Sequence, residues 1–251
     1  MEKRRQAIVD LVEQMGEVSI KDLRELFPTV SEVTLRKDLR SLDEEKKLVR
    51  VHGGAKSILD IAGIGTSFSN RKSLHQIEKS LIGKKAVELL ENTGSSIYIS
   101  SGTTCAELAK NLPQKPMYVF TDGILVAMDM PATPDIHIEL LGGTLDRNIM
   151  RLKGPMVLSA LEELRFDWAF IGTPGFHPNL GFSCNTPIIA ATMSKVIEHS
   201  NKVAVLMDSS KVNYAHTPRN IPLQAVDYVI SDGNLPEDIV KVLEDNGITV
   251  L

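Results

Sequence analysis

The segment VSEVTLRKDLR, residues 30–40, decides how the first part of the chain is interpreted. An α-helix turns 100° per residue, and at that spacing one apolar side is formed by Leu35, Leu39 and Leu42. Arg36 and Arg40 fall on a different side, and Ser31 is a favourable N-cap for the helix. Because the leucines must pack against other helices, we expect the cationic side to face outward.

Two shorter helical patterns precede this segment. Residues 3–15 carry apolar side chains at helical spacing. Residues 19–22 resemble a capping box, which opens a second helix. The side chains predicted to point inward from that helix are Leu23, Leu26 and Phe27. Short helices joined by a tight turn are typical of a helix-turn-helix.

Residues 46–56, KKLVRVHGGAK, predict a strand, a glycine turn and a returning strand. This β-wing is expected to carry Arg50, His52 and Lys56 near its tip, against DNA phosphates. The predicted winged helix-turn-helix covers residues 1–57, and double-stranded DNA is its expected partner. Arg and Lys on the third helix suit guanine edges in the major groove. The predicted DNA-binding residues are Ser31, Thr34, Arg36, Lys37, Arg40, Arg50, His52 and Gly53.

The distribution of charge agrees with a DNA-binding head on an acidic body. The 251 residues carry a net charge of −4, but the first 57 contain 12 Lys and Arg against 11 Asp and Glu. The head is therefore +1, and the rest of the chain is −5.

Other features of the composition indicate a cytoplasmic protein. No apolar run approaches the roughly 20 residues of a membrane-spanning helix, and the N-terminus lacks the apolar region of a signal peptide. Cys105 and Cys184 form no CxxC pair, which fits a reducing compartment. We expect both thiols to be buried.

Beyond a predicted linker at residues 58–76, helical and strand patterns alternate through residues 77–251. Such alternation predicts an α/β domain with a mostly parallel sheet covered by helices. Ligands of these sheets bind at the loops beyond the carboxyl ends of the strands.

Several of those predicted loops carry glycines, hydroxyl groups or cations. In Ser100–Thr104, hydroxyls and backbone N–H groups at a helix N-terminus can hold an anion, although an ordinary capped turn explains the segment equally well. The other loops of this kind are Thr121-Asp122-Gly123, Gly142-Gly143-Thr144 and Asp208-Ser209-Ser210-Lys211. Their convergence at one edge predicts a pocket for a small phosphorylated metabolite.

Motifs for metals and cofactors are missing from the sequence. The histidines show no metal-ligand spacing, and there is no Walker A, GxSxG or GxGxxG motif. We therefore expect neither a metal nor a cofactor. The alternative function is a sugar-phosphate isomerase-like enzyme with an accessory helical head. Isomerisation needs an acid–base pair, and the strand-end carboxylates Asp122, Asp146 and Asp208 provide no convincing one. No catalysis is expected.

These segments together resemble the DeoR-type family of bacterial transcriptional regulators over nearly the whole chain. The resemblance rests on VSEVTLRKDLRSLDEE and LVRVHGGA in the head, and on SGTT, LLGG, DWAFIG and VLMDSSK in the body. It implies a winged helix-turn-helix joined to a domain related to sugar-phosphate isomerases. It also implies a phosphorylated sugar that alters DNA affinity, usually relieving repression of a sugar-use operon, and a homo-oligomer, either a dimer or a tetramer.

The chain departs from the family pattern mainly in the presumed pocket, at Ser100, Asp122, Asp146, Pro174 and Ala191. Carboxylates hold sugar hydroxyls, and three of the departures, Ser100, Pro174 and Ala191, replace a carboxylate that the family commonly carries. We therefore expect phosphate recognition with an altered sugar preference. The predicted effector-binding residues are Ser101, Gly102, Thr103, Thr104, Asp122, Gly142, Gly143, Lys195, Ser210 and Lys211.

Overall fold

The computed structural model describes residues 2–15, 17–51, 53–57, 74–90, 96–184, 186–213 and 219–251. The chain divides into two compact units, Met1–Leu74 and His75–Leu251, called the head and the body below. Most of the predicted linker, residues 58–73, lies outside the described residues. None of the helices in the described ranges is long and apolar enough to cross a bilayer.

The head consists of three helices and a small antiparallel sheet around one apolar cluster. Its helices are α1 (Glu2–Met15), α2 (Ile20–Leu26) and α3 (Glu32–Glu44). Its strands are β1 (Glu17–Ser19), β2 (Val49–Val51) and β3 (Gly54–Lys56), in the order β1-β3-β2. The predicted capping box is present, since the Ser19 side chain accepts from the Asp22 N–H and Asp22 accepts from the Ser19 N–H. The winged helix-turn-helix is confirmed.

The prediction that Leu26 points inward is wrong. Ile20 and Leu23 are buried and Phe27 packs partly against the apolar cluster, whereas Leu26 is 49% exposed. At 100° per residue, Leu26 lies about 90° from the centre of the face that the other three share. The helix is only seven residues long, so no second turn compensates for this position.

The body contains a larger set of elements. The helices are α4 (Gln76–Glu88), α5 (Thr103–Lys110), α6 (Ile124–Asp129), α7 (Pro155–Glu162), α8 (Pro187–Glu198) and α9 (Glu237–Asp245). The strands are β4 (Ser96–Ile99), β5 (Met117–Thr121), β6 (Ile136–Leu140), β7 (Thr144–Asp146), β8 (Arg151–Lys153), β9 (Phe166–Gly172), β10 (Gly175–His177), β11 (Gly181–Ser183), β12 (Ser200–Leu206), β13 (Arg219–Ile221), β14 (Tyr228–Ile230) and β15 (Thr249–Val250).

Seven of these strands form the predicted parallel sheet, in the order β15-β14-β12-β9-β4-β5-β6. Apolar clusters lie on both of its faces, one with residues of α4, α5 and α6 and the other with residues of α7, α8 and α9. Strand β4 alternates between them, because Ile97 and Ile99 belong to the first cluster and Tyr98 to the second. The mostly parallel α/β fold is confirmed.

Two small antiparallel sheets were not predicted by the alternating pattern: the β7–β8 hairpin and the sheet β10-β11-β13. The order of the main sheet also fixes a topological switch point. From β4 the chain proceeds to β5 and β6 on one side, and it then returns to β9 and β12 on the other. Loops after β4 and β9 therefore diverge at the carboxyl edge, where doubly wound sheets bind ligands.

Candidate functional site

Helix α3 presents two opposite faces. The buried face is formed by Leu35, Asp38, Leu39 and Leu42. The exposed face consists of Val33, Arg36, Lys37 and Arg40, which we call the basic stripe. These positions are spaced i, i+3, i+4 and i+7, so they lie along one side of the helix. Packing of the leucines thus directs three cations outward.

The N-terminus of α3 is held by local polar contacts. Ser31 is the N-cap, and its hydroxyl oxygen accepts the Thr34 N–H at 3.3 Å and lies 2.9 Å from the Thr34 hydroxyl. Arg36 donates through Nε to Glu32 Oε1 at 2.9 Å. The guanidinium of Arg24 lies 3.9 Å from the other oxygen of Glu32. Glu32, which is itself partly exposed, therefore holds the Arg36 side chain against the surface of α3.

Two cations of the head do not contribute to this surface. Arg4 and Arg5 donate through Nε to Asp38, at 2.6 and 3.0 Å. Asp38 is 2% exposed, on the buried face of α3. Burial acts to raise the pKa of Asp38, but the hydrogen bonds and charges of the two arginines outweigh it and lower that pKa. These arginines fix α1 to α3.

Arg50 is exposed on the wing, and its backbone N–H donates to Asp43 Oδ1 at 3.3 Å. Gly53 lies in the turn at φ +83°, and its carbonyl accepts the Ile20 N–H at 2.8 Å. His52 lies outside the described residues. Lys56 is not near the tip, because the strand register pairs it with Val49, at the end of the hairpin away from the turn.

In the body, the loop after β4 is connected to neighbouring strand ends. The Ser100 hydroxyl oxygen is buried and accepts the Gly172 N–H at 3.1 Å, which joins the ends of β4 and β9. The Ser101 N–H donates to Asp122 Oδ1 at 3.0 Å. Gly102, at φ +148°, then opens α5. Thr103 and Thr104 are partly exposed in its first turn, where backbone N–H groups lack intrahelical acceptors.

A buried ion pair lies beside this loop. Arg151 donates to Asp122 Oδ2 through Nε at 2.7 Å and through its terminal nitrogen at 2.6 Å. The side chains of the pair are 9% and 0% exposed. Burial acts to lower the pKa of Arg151, but the charge of Asp122 raises it overall. The guanidinium also contacts the sulfur of Met193 on α8 at 3.6 Å.

The alternating pattern gave no indication of Arg151, because this arginine belongs to the β7–β8 hairpin. Arg147, between the two strands of the same hairpin, is exposed. Burial in β8 does not alternate, since Arg151 and Leu152 are both at most 9% exposed. The one available signal was a charge in an apolar context, Ile149-Met150-Arg151-Leu152.

Two other titratable groups at this edge stay protonated at neutral pH. Burial raises the pKa of Tyr98 well above its ordinary value, and the charge of Asp122 adds to the effect. Burial likewise raises the pKa of Cys105 to about 11. The prediction that both cysteines are buried is confirmed. The Cys105 sulfur would lie 3.2 Å from a Cβ at residue 172, so β9 packs closely against α5 at this glycine.

The loop after β12 is organised by two carboxylates. Asp208, 1% exposed, accepts from the N–H and the hydroxyl of Ser210. Asp232 accepts from the N–H and the hydroxyl of Ser209, each at 2.9 Å. Lys211 follows at the end of this turn, half-buried, and it forms no ion pair with the residues that the structure describes. The predicted hydroxyl groups are thus engaged, while the lysine remains available.

Some of the predicted effector-binding residues lie away from the loops that follow β4 and β12. Lys195 lies in the last turn of α8, close to the start of β12, and its ammonium is 3.9 Å from Glu198. Helix α8 runs back from the carboxyl edge of the sheet, so its last turn lies towards the opposite edge. Four inter-strand steps separate β12 from β6, about 19 Å at roughly 4.8 Å each. Ser210 and the loop after β6 therefore follow strands that are widely separated in the sheet.

Gly142 and Gly143, in that distant loop, have a packing role. Gly143 has φ +136°, and a Cβ there would lie 2.8 Å from the Lys153 carbonyl oxygen. A Cβ at Gly142 would lie 3.3 Å from Met156 Cε. The hairpin is closed further by Lys153, which donates to Asp146 at 2.6 Å and thereby lowers the pKa of that carboxyl.

Comparisons with known proteins agree with this geometry. A family model described as DeoR-like helix-turn-helix domain matches residues 4–60, and one described as DeoR C terminal sensor domain matches residues 74–233. The uncharacterized HTH-type transcriptional regulator YulB of Bacillus subtilis is 31% identical over 248 residues, covering 99% of this chain and 95% of that protein. The glycerol-3-phosphate regulon repressor of Escherichia coli K12 is 30% identical over 250 residues, covering 98% and 96%.

Solved structures show similarity of fold. The Pyrococcus horikoshii translation initiation factor eIF-2B superposes with a TM-score of 0.52 at 12% identity, covering 94% of this chain and 98% of that one. Ribose 5-phosphate isomerase A of Methanocaldococcus jannaschii covers 53% of each chain at 18% identity, with a TM-score of 0.36 that is too low to support a conclusion about function.

Proposed function

The chain belongs to the DeoR family of helix-turn-helix transcriptional regulators, and we propose that it represses a sugar-use operon under the control of a phosphorylated sugar. The observation that carries this proposal is the basic stripe, set opposite a leucine face in an intact winged helix-turn-helix. Such a regulator acts in the cytoplasm, where the operator DNA is, and as a homo-oligomer on repeated or palindromic sites.

In the proposed complex, the N-terminal half of α3 enters the major groove. Arg36, Lys37 and Arg40 then reach guanine edges or phosphates, and the exposed methyls of Val33 meet a thymine methyl. Glu32 must release Arg36 for such a contact, which makes binding sensitive to the strength of that ion pair. Ser31 and Thr34 lie at the helix start, beside the nearest phosphates. In the wing, Arg50, His52 and Gly53 are proposed to contact the backbone of the adjacent DNA.

The proposed effector site is the switch point between β4 and β9. First-turn N–H groups of α5 at Thr103 and Thr104, opened by Gly102, suit a phosphate group. Lys211 follows β12, whose axis is two inter-strand steps or about 10 Å from that of β4, and it is proposed to supply a cation from that side. Between them, Ser101, Asp122 and Ser210 complete the predicted set. Lys195, Gly142 and Gly143 are not part of this proposal.

The ligand class is supported from two directions. The Escherichia coli relative, by its name, represses a regulon for a phosphorylated three-carbon compound. In this chain, the buried Asp122 carboxylate is paired with Arg151 through one oxygen and accepts the Ser101 N–H through the other, so both oxygens are engaged. A sugar hydroxyl therefore meets a weaker acceptor here than a free carboxylate provides. This supports phosphate recognition with an altered sugar preference.

We propose that the site binds without turnover. Asp122 is engaged with Arg151 and Asp146 with Lys153, whereas Asp208 accepts from Ser210 through one oxygen and is buried. Isomerisation needs a base and a matched acid beside the substrate, and these three carboxylates offer no such pair. Incubation of the pure protein with sugar phosphates, followed by NMR, is expected to return them unchanged.

Selection of duplexes from a random pool, followed by fluorescence anisotropy on the enriched site, tests the DNA-binding surface. Arg40→Ala is expected to weaken binding to that site about tenfold or more. Lys47→Ala removes an equal charge from an exposed lysine that pairs with Glu45, beyond α3, and is expected to change it by less than twofold. Absence of any enriched duplex, or equal losses in the two variants, would contradict the proposal.

Thermal unfolding with a panel of sugar phosphates tests the effector site. Fluorescence of Trp168, the single tryptophan of the chain, reports on the body alone. A ligand at 100 times its Kd stabilises the body by about 2.7 kcal/mol. Lys211→Ala should reduce the shift, whereas Lys84→Ala, an exposed lysine on α4, should retain it. A shift caused by neutral sugars but by no phosphorylated one would overturn the assignment.

A further inference from the structure

Strand β6 forms one edge of the parallel sheet, and it is unusually exposed. After the buried Ile136, the side chains of His137, Ile138, Glu139 and Leu140 are all exposed. Ile138 and Leu140 are 40% and 44% accessible, a large fraction for apolar side chains in a strand. Within the described ranges, β6 pairs with β5 on one side and with no strand on the other.

The hydrogen bonds to β5 fix which backbone groups point away from the sheet. The Asp135 carbonyl accepts the Met117 N–H at 3.0 Å, and the Leu141 N–H donates to the Thr121 carbonyl at 2.9 Å. Odd-numbered residues of this segment therefore bond inward to β5. In a strand the direction alternates, so the N–H and carbonyl of Ile138 and Leu140 point outward, as does the carbonyl of Ile136.

This edge is complementary to itself. If two copies pair antiparallel about Ile138, that residue faces its own counterpart, and the two exchange both N–H to carbonyl hydrogen bonds across a two-fold axis. In the same register Leu140 faces Ile136 of the second copy, with outward-pointing groups on both. His137 of each copy faces Glu139 of the other copy, so the pair occurs twice. A shift of one residue would turn the outward backbone groups away from each other.

We propose that β6 is a homodimer interface, in which two copies of the body join their sheets edge to edge. The inference is independent of DNA or effector binding, because it uses only the backbone direction and the side chains of this edge. An unrelated strand would satisfy the backbone equally well, but it would lack the matched His–Glu positions. The second copy is therefore the occupant that the chemistry favours.

The His137–Glu139 pairs lie where side chains approach most closely. His137 and Glu139 occupy non-hydrogen-bonded positions in this register, where opposing Cα atoms are about 4.5 Å apart. The His137 ring stacks on Tyr118, with centroids 4.9 Å apart and an interplanar angle of 20°. Tyr118 thus orients the imidazole on the face from which the partner's carboxylate would approach.

Apolar surface continues beyond the end of the strand. Met156 is 66% exposed, and its Cε lies close to Gly142, two residues past Leu140. Leu145, on the hairpin that follows, is 40% exposed. Contiguous exposed apolar surface of this kind marks interaction sites in soluble proteins. Pairing about Ile138 would cover the strand, and a second copy would lie beside these two side chains.

Engineered cysteines in the full-length protein test the register. In hydrogen-bonded antiparallel pairs the Cα atoms are about 5.5 Å apart, which is within the range for a disulfide. Ile138→Cys is therefore expected to give a covalent dimer under mild oxidation. Leu140→Cys is the matched control, because two copies of that residue would lie about 14 Å apart. The native thiols are buried and are not expected to react. Equal cross-linking of both variants, or of neither, would overturn the proposal.

Sedimentation equilibrium tests the His137–Glu139 pairs. His137→Glu places two glutamates opposite one another and is expected to halve the wild-type mass, and Glu139→Lys removes the carboxylate that faces His137 and is expected to lower the mass. The double variant H137E/E139K places opposite charges at both positions and is expected to restore the wild-type mass. Glu244→Lys, on α9 at the other edge of the sheet, is expected to leave it unchanged. Wild-type protein with the 27.6 kDa mass of one chain, or single variants that keep the wild-type mass, would contradict the interface.

Discussion

In the head, the basic stripe comes from one helix, and its four residues lie within two turns of α3. In the body, the candidate effector site draws Ser101, Asp122 and Arg151 from three separate segments joined by hydrogen bonds. The stripe residues are exposed and support no packing. The body residues are buried, or half-buried in the case of Ser101, and they hold the loops that surround the ligand position. Binding and stability are therefore separable in the head and coupled in the body.

The largest effect is expected from Arg151→Ala, which leaves the carboxylate of Asp122 buried without its partner. Breaking a buried pair in this way costs about 3–5 kcal/mol. Urea unfolding followed by Trp168 fluorescence measures the loss in the body. Arg147→Ala removes an exposed arginine of the same hairpin and is expected to cost less than about 0.5 kcal/mol. Similar losses of unfolding free energy in the two variants would show that binding and stability are as separable in the body as in the head.

Asp38→Asn tests whether the head has a structural ion pair distinct from its stripe. Losing the charge that Arg4 and Arg5 share is expected to cost about 1.5–3 kcal/mol, as for hydrogen bonds to charged groups. Hydrogen exchange in peptides from α1 and α3 measures this loss of stability. Tryptophan fluorescence does not report on the head, because the single tryptophan lies in the body. Glu44→Gln, on an exposed residue of α3, serves as the control. DNA affinity at low temperature, where the head stays folded, should change little.

The same carboxylate gives the head a predictable response to acid. Since the pKa of Asp38 is lowered in the folded state, its contribution is fully present above the unfolded value of about 4 and is lost as the pH falls through the lowered pKa. Wild-type protection in α1 and α3 should decline in that range, and the Asp38→Asn variant should decline less. An identical decline in both would remove Asp38 as the cause.

Arg36→Ala tests the opposite behaviour, loss of binding without loss of stability. The variant is expected to lose about 1–3 kcal/mol of affinity for the selected site and to discriminate less among bases if Arg36 contacts guanine. A uniform loss over all sequences would instead assign it to phosphate. Its exposed side chain touches only Glu32 among the described residues, so exchange protection in the head should remain as in wild type.

The smallest effect is expected from Ser31→Ala, which removes the N-cap of α3. Loss of the bond to the Thr34 N–H typically costs about 1 kcal/mol of helix stability. Ser41→Ala, whose hydroxyl contacts Glu45 on the same helix, is the matched control. Exchange at the first turn of α3 is the measurement. Unchanged exchange there would show that the Ser31 cap does not stabilise the first turn of α3.

The same contrast explains what the sequence could predict. The faces of α3 follow from a 3.6-residue period, so Leu35, Leu39 and Arg40 were placed correctly. The inward orientation predicted for Leu26 was wrong because a seven-residue helix has a narrow buried face. The position predicted for Lys56, near the tip of the wing, was wrong because the exact turn position sets the strand register. The buried ion pairs of Asp38 were not predicted because Arg4 and Arg5 belong to α1, which no local sequence pattern connects to α3.

In the body, alternation predicted the parallel sheet and its loops but not which loops meet. That depends on strand order, which puts β6 and β12 about 19 Å apart and turns Lys195 towards the far edge of the sheet. Arg151 was missed because the short β7–β8 hairpin breaks the alternation. The oxygens of Asp122 are shared by a hairpin and a loop that are far apart in sequence, and tertiary contacts of this kind leave no periodic signal.

Linkage between the two units is the most direct test of the proposed mechanism. DNA affinity should be titrated by anisotropy on a selected site, with and without a sugar phosphate that stabilises the body, in wild type and in Lys211→Ala. We expect the ligand to weaken wild-type DNA binding by at least fivefold, and we expect Lys211→Ala to lose this response while it keeps its DNA affinity in the absence of ligand. Equal DNA affinity with and without a bound sugar phosphate would contradict it.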